Sequence, residues 1–123
     1  MKLGAFSVSL AVKDIDKSRN FYRALGFIEV GGDIAQHWLI MRNDTHTIGL
    51  FQGMFDKNML TFNPGWNSDC EPLDEFTDVR DIQAALKQQG IELSSEVDPS
   101  SKGAGSFMLI DPDGNPILID QHL

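Results

Sequence analysis

The chain has 123 residues, of which 41% are hydrophobic and 23% are charged, and its formal net charge is −8. This length fits one ordinary domain with its own core, and the composition is unlike that of disordered chains. A net negative charge without an offsetting Lys/Arg cluster argues against nucleic acids and membranes as partners. The apolar run near the N-terminus is too short for a secretory signal, so we expect a cytoplasmic protein.

The first predicted elements are a strand and a helix. Residues 6–12 alternate between apolar and small polar side chains, which is typical of a strand with one buried face. Residues 14–26 then place apolar side chains at helical spacing, with Asp14 or Asp16 as the N-cap and Gly26 as the stop.

Both patterns return later in the chain. The helical stretch 14–26 is repeated by 78–90 with the same spacing from aspartate to glycine, and 37–51 aligns with 106–120 without a gap. Self-similarity at two places, in the same order, predicts two copies of a strand-helix-strand-strand-strand unit in a single domain. The copies span about residues 1–54 and 58–123.

The end of the second copy predicts a β-hairpin. An Asp-Gly pair at 113–114 is a strong turn signal between two apolar runs. A turn centred on this pair sets Leu109 opposite Leu118 and Phe107 opposite Asp120. Directly opposed residues share a face of the sheet, so Phe107 and Asp120 are predicted to point to the same side as Leu118.

The same register applied to the first copy predicts a hairpin over 37–51. It sets Ile40 opposite Gly49 and Trp38 opposite Phe51. The turn in this copy has weaker sequence signals, so its register is carried over from the second hairpin.

Three stretches of the sequence resemble the vicinal oxygen chelate superfamily, which includes glyoxalase I, extradiol dioxygenases and the bleomycin- and fosfomycin-resistance proteins. They are SVSLAVKDIDKSRNFYRALGF near the start, DVRDIQAALKQQGIEL in the middle and DPDGNPILID near the end. The resemblance implies an α+β fold in which two βαβββ units form a curved mixed sheet around a pocket. It also implies a homodimer, because members of this superfamily are commonly dimers.

The metal-dependent members place His, Gln or Glu at four matching strand positions. By the resemblance, these positions fall on Ser7, Gly49, the residue that opens the fifth strand, and Leu118. Glycine and leucine have no side-chain donor, and serine is a poor ligand for the divalent metals of these enzymes. We therefore predict no metal and no cofactor.

The fifth strand has two readings. In the first, 59–63 is the strand and Met59 occupies the ligand position, at the cost of a long loop before the next helix. In the second, 71–76 is the strand and Glu71 occupies that position, but Pro72 then faces the core. We favour the first reading.

The remaining inward positions are mostly apolar or aromatic, with a few scattered polar groups. Such a lining is typical of pockets that bury a small organic molecule and orient it with a few hydrogen bonds. Trp66 stands on a Pro/Gly-rich loop that can serve as a lid or cap the core. The predicted ligand-binding residues are Ser7, Ser9, Trp38, Phe51, Met59, Thr61, Trp66, Phe107, Leu118 and Asp120.

These features favour metal-independent binding of a small apolar or aromatic molecule, with resistance by sequestration as in the bleomycin-resistance proteins it resembles. The alternative is a lyase, isomerase or dioxygenase with displaced metal ligands, or with acid-base catalysis by Asp120 or Glu71. A displaced metal site would combine Asp120 and His122 with Glu71 or another histidine, but His122 is the penultimate residue and is expected to fray. A third possibility is an interaction module without a working pocket.

Overall fold

A computed structural model describes all 123 residues and shows an α+β fold, as predicted. Neither of the two α-helices has the length and apolar character that crossing a bilayer requires. A short 3-10 turn precedes the third strand. The elements are β1 (Ala5–Val12), α1 (Ile15–Ala24), β2 (Ile28–Asp33), β3 (Trp38–Asn43), β4 (His46–Gln52), β5 (Met59–Asn63), α2 (Val79–Gln88), β6 (Gly105–Ile110) and β7 (Pro116–Gln121).

The chain divides into two compact units. The N-terminal unit comprises Ser7–Met59, and the C-terminal unit comprises Leu60–Leu123 together with Met1–Phe6. Each unit contains strands that run parallel to one neighbour and antiparallel to another, so the strand arrangement in each unit is mixed.

In the N-terminal unit the strand order is β2-β3-β4-β1, with β1 parallel to β4 and the other pairs antiparallel. The β3–β4 hairpin pairs Ile40 with Gly49 and Trp38 with Phe51, which confirms the predicted register. Because opposed residues share a face, this register decides which side chains turn away from the helix.

One face of this sheet packs against α1. Its core consists of Ile15 from the helix with Leu39, Met41 and Leu50 from the sheet. The N-cap of the helix is Asp14, one of the two predicted candidates, and its carboxylate accepts a hydrogen bond from the Lys17 backbone N–H. This cap satisfies one of the four free N–H groups of the first turn and stabilises the helix by about 1 kcal/mol.

In the C-terminal unit the strand order is β5-β7-β6, with β5 parallel to β7 and β6 antiparallel to it. The fifth strand is Met59–Asn63, which confirms the favoured reading, whereas 71–76 forms no strand. The core lies under α2 and comprises Val79, Ile82, Val97, Phe107 and Ile119.

The strand predicted between α2 and β6 is almost absent. Only Ser95 forms an isolated bridge, with Met108 of β6. The Ser94 N–H donates to the Met108 carbonyl at 2.7 Å, so this segment still covers the edge of β6. Serine and proline in residues 94–101 disfavour a regular strand. The second copy therefore consists of one strand, one helix and two further strands, without the strand that was predicted directly after the helix.

The predicted register of the second hairpin is wrong by one residue. Phe107 pairs with Ile119 rather than Asp120, and Leu118 pairs with Met108. A one-residue slip sends every side chain of a strand to the opposite face. Phe107 is therefore fully buried in the core under α2, and it is not on the face of Leu118.

The turn explains the slip. The Gly114 N–H donates to the Asp111 carbonyl, and the Asp111 N–H donates to the Asn115 carbonyl, both at 3.0 Å. Asp111 and Asn115 therefore close a three-residue loop, not the two-residue loop that an Asp-Gly centre implies. Pro112 suits the second position of such a turn, and Gly114 takes the left-handed conformation that ends it, with φ of 87°.

Candidate functional site

The face of the N-terminal sheet that turns away from α1 carries four of the predicted ligand-binding residues. Leu10 and Leu50 pack toward the helix, so their strand neighbours Ser9, Gly49 and Phe51 lie on the other side. Cross-strand pairing adds Ile40 opposite Gly49 and Trp38 opposite Phe51. We call this surface the N-terminal far face; it comprises Ser7, Ser9, Trp38, Ile40, Gly49 and Phe51.

Aromatic rings dominate the N-terminal far face. The Trp38 and Phe51 rings are nearly parallel, with 7° between their planes and 6.3 Å between their centroids. Phe55, just beyond β4, continues the cluster, because its ring centroid lies 5.3 Å from that of Phe51. All three side chains are half-buried, so each keeps some accessible ring surface.

Gly49 makes room for the Phe51 ring. A Cβ atom at position 49 would lie 2.5 Å from Cε2 of Phe51 and 3.4 Å from Cδ1 of Ile40. Gly49 has no positive φ, so its backbone conformation suits any residue and space is the reason for glycine here. The Phe51 ring thus occupies the volume in which a side chain at position 49 would begin.

The four ligand positions implied by the resemblance do not suit a divalent metal. Gly49 offers no donor and Phe51 fills the space beside it. Leu118 is aliphatic, and Met59 is buried and offers only a thioether, which hard divalent metals bind poorly. The hydroxyl of Ser7 is the remaining donor. Elsewhere in the chain, no three or more His, Cys, Asp or Glu side chains come together as a metal site.

The C-terminal sheet has its own face turned away from α2. Thr61 pairs with Leu118, which pairs with Met108, and Ser106 pairs with Asp120. We call this surface the C-terminal far face. It comprises Thr61, Ser106, Met108, Leu118 and Asp120. Three of these, Thr61, Leu118 and Asp120, are predicted ligand-binding residues. Ser106 and Met108 of β6 lie on this surface instead of the predicted Phe107.

At the end of β7, Asp120 and His122 form a polar pair beside Trp66. His122 Nε2 donates to Asp120 Oδ2 at 3.1 Å. The imidazole ring stacks on the Trp66 indole, with centroids 4.5 Å apart and 9° between planes. The prediction that His122 is frayed is therefore wrong, and Trp66 is a stacking partner of this histidine.

The pKa of His122 is raised above its ordinary value. The hydrogen bond to the Asp120 carboxylate is the main cause, partial burial opposes it, and the negative charge of Asp120 adds to it. A carboxylate that accepts from one ring nitrogen stabilises the charged imidazolium form.

Gln121 anchors the strand between these two residues. Its side chain is buried and accepts from the Val79 N–H at 2.7 Å, at the start of α2. Its amide donates to the Asp78 carboxylate and to the Leu123 carbonyl. Because alternate residues of a strand point to opposite faces, fixing Gln121 toward α2 directs Asp120 and His122 away from it.

Asp78 is part of this anchor. Burial raises its pKa, but the hydrogen bonds from the Arg80 N–H, the Gln121 amide and the Arg80 guanidinium together lower the pKa below its ordinary value. Asp78 is also the N-cap of α2, as the repeat predicted.

Glu71, the alternative ligand or acid-base residue, has a local role in its loop. Its carboxylate accepts from the Asn67 amide at 3.2 Å, and its backbone N–H donates to Asn67 Oδ1 at 3.0 Å. These bonds close the loop from Asn67 to Glu71, which explains why a carboxylate stands at this position.

Three solved structures with this fold have names that state a superfamily or an enzyme activity. A glyoxalase/bleomycin resistance protein/dioxygenase superfamily member from Vibrio splendidus matches with a TM-score of 0.65 and 16% identity, over 94% of this chain and 97% of that one. Methylmalonyl-CoA epimerase from Mycobacterium tuberculosis matches with a TM-score of 0.65 and 16% identity, over 98% and 88%. An extradiol ring-cleaving dioxygenase from B. fuscum matches with a TM-score of 0.57 and 21% identity, over 97% of this chain but 32% of that one.

No protein-family model and no curated protein matches the sequence. The structural likenesses confirm the vicinal oxygen chelate fold that the sequence resemblance predicted. Proteins of this fold carry different names and activities, so the reaction or ligand must be argued from the residues of this chain. The homodimer and the cytoplasmic location stay predictions.

Proposed function

We propose that the N-terminal far face binds a small planar apolar or aromatic molecule without a metal ion. The observation that carries the proposal is the Phe51 ring beside Gly49. At a position where the resemblance implies a metal ligand, this chain has no side chain, and an aromatic ring fills the space.

The chemistry of this surface suits stacking. Trp38 and Phe51 present nearly parallel rings, and a planar ligand placed against either one gains about 0.5–1.5 kcal/mol per aromatic pair beyond the burial of its area. Burial itself contributes roughly 25 cal/mol for each Å² of apolar surface removed from water. A ligand of one or two rings can therefore bind through contact area alone.

Binding without a metal suits a protein that removes a toxic small molecule from solution. Sequestration requires affinity and no chemical step, so the lack of donor side chains does not impair it. The resemblance to the bleomycin-resistance proteins, and the name of the Vibrio splendidus structure, are in keeping with this role.

The test uses Trp38 fluorescence in the Trp66→Phe variant, which leaves Trp38 as the single tryptophan. Chelator-treated protein is titrated with naphthalene and, as the matched non-planar compound, with decalin. We expect saturable quenching by naphthalene that does not change when zinc, nickel or manganese is added. Quenching that requires one of these metals, or no quenching by naphthalene, would contradict the proposal.

A further inference from the structure

We propose that the Asp120–His122 pair is a proton-accepting site for ligands that carry a weakly acidic hydroxyl group, such as phenols and enols. The proposal goes beyond the binding function above, because it depends on residues of the C-terminal unit and not on Trp38, Gly49 or Phe51.

The hydrogen bond to Asp120 decides which nitrogen of His122 is basic. An ionised carboxylate only accepts hydrogen bonds, so Nε2 carries the proton that lies between it and Oδ2. In the neutral ring the lone pair is then on Nδ1. No other group of the chain bonds to His122, so Nδ1 is available to a ligand. This arrangement of carboxylate and imidazole is the one in which a histidine acts as a general base.

Trp66 fixes the ring and favours its charged form. The two rings are within 9° of parallel at 4.5 Å, so the imidazole cannot rotate freely about its side-chain bonds without losing the stack. A cation over an indole face is stabilised by the electrons of the aromatic ring. Asp120 and Trp66 therefore act in the same direction, toward the imidazolium.

The Asp120–His122 pair is accessible to solvent, and its backbone is held in place by Gln121. About 46% of the His122 side chain and 31% of the Asp120 side chain are exposed. Gln121 keeps the intervening backbone in place through its bonds to Val79 and Leu123. His122 forms its ion pair with one titratable group, Asp120 on β7, and its ring contact with one uncharged ring, Trp66 on the loop after β5.

The proton transfer is balanced. His122 Nδ1 takes the hydroxyl proton of the ligand, so the O–H bond breaks, an N–H bond forms and the electron pair stays on the ligand oxygen. A neutral imidazole and a neutral ligand become an imidazolium and an anion, and Asp120 stays ionised on Nε2. The raised pKa of His122 supports this direction of transfer.

The experiment titrates the wild-type protein into para-nitrophenol at a series of pH values on both sides of the pKa of the dye, because only the ionised dye is yellow and only a neutral His122 can take its proton. We expect a saturable rise of the yellow form. His122→Gln is expected to weaken the response about tenfold, the effect of losing one charge-assisted hydrogen bond. Asp120→Asn should weaken it less, because Nδ1 remains.

The matched control is His46→Gln, since His46 is an exposed histidine at the start of β4, in the N-terminal unit. It should respond as the wild type does. A second control, para-nitroanisole, has the same ring without a hydroxyl and should show no dependence on His122. The Trp38→Phe variant, in which the surface of the proposed function is altered, should keep the response, so the two proposals can fail separately.

Nitrogen NMR of the wild-type imidazole gives a readout that no folding defect of a variant affects. At a pH above the folded pKa of His122, we expect a proton on Nε2 alone in the free protein and a fully protonated imidazolium when the dye is bound. No saturable rise of the yellow form with the wild type, or an equal rise with His122→Gln, would each overturn the proposal and leave the pair with only the structural role of holding the C-terminus in place.

Discussion

The two hairpins of this chain have similar strands but different turns. The turn of each hairpin decides which of its side chains face the core and which face away from it. In the β3–β4 hairpin, Asn43 pairs with His46 across a two-residue loop. In the β6–β7 hairpin, Asp111 and Asn115 enclose three residues. The first turn places Phe51 on the far face beside Trp38, whereas the second sends Phe107 into the core. A difference of one residue in the loop thus separates an aromatic side chain of the far face from one of the core.

The largest expected effect comes from the two phenylalanines. Phe107→Ala removes a fully buried ring from the core under α2 and is expected to lower the free energy of unfolding by about 3–5 kcal/mol. Phe51→Ala removes a half-buried ring and should cost roughly half as much or less. Urea unfolding of the two variants measures the contrast. Equal losses would mean that the register of the second hairpin is not the one described.

Substitutions at the left-handed residues of the two turns should change the stability of the protein in opposite directions. Gly114→Ala forces a Cβ into a conformation with φ of 87° and should destabilise the protein by about 1–2 kcal/mol, although nothing crowds the new methyl group. Asp44 already occupies the left-handed region, with φ of 53°, so Asp44→Gly relieves strain and is expected to be neutral or slightly stabilising. Thermal unfolding compares them. A neutral Gly114→Ala would show that the three-residue loop does not need this conformation.

A smaller effect is expected from pH at the C-terminal pair. The folded-state pKa of His122 is raised by its hydrogen bond to Asp120, so the histidine contributes stability that is complete below its unfolded pKa of about 6.5. That contribution is lost as the pH rises through the folded pKa. The difference in unfolding free energy between wild type and His122→Gln should therefore shrink from about pH 6 upward. His46→Gln is the control, and a difference that grows with pH would contradict the assigned hydrogen bond.

Much of the fold could be predicted from local signals. Asp14 and Asp78 cap their helices, and an N-cap depends on a few neighbouring residues. The sequence predicted Asp14 or Asp16 as the first cap, and the structure shows that it is Asp14. The first hairpin was also predicted correctly, because its loop has the two residues that were assumed. The second was not, because a turn centred on Asp113 and Gly114 was assumed, whereas Pro112 also lies inside the loop.

The candidate sites depend on distances that sequence spacing does not give. The glycine at position 49 shows from the sequence alone that a metal-ligand side chain is missing. The sequence does not show that the Phe51 ring fills the place of a Cβ atom there, because this depends on the orientation of one ring. His122 stacks on Trp66, although 56 positions of the chain (66 to 122) separate the two residues. The buried amide of Gln121 fixes the backbone next to His122, but nothing in the sequence indicates that a glutamine between Asp120 and His122 is buried.

The most direct test of the central claim compares two glycines of the N-terminal sheet. Gly49→Ala places a methyl group 2.5 Å from the Phe51 ring and must displace it, whereas Gly31→Ala makes an ordinary 3.6 Å contact with Ile40. Naphthalene affinity is measured by Trp38 quenching in chelator-treated protein with Trp66→Phe. We predict that Gly49→Ala binds about threefold to tenfold more weakly than Gly31→Ala, the loss of one aromatic stack. Equal affinities in the two variants would show that the Phe51 ring does not form the binding surface.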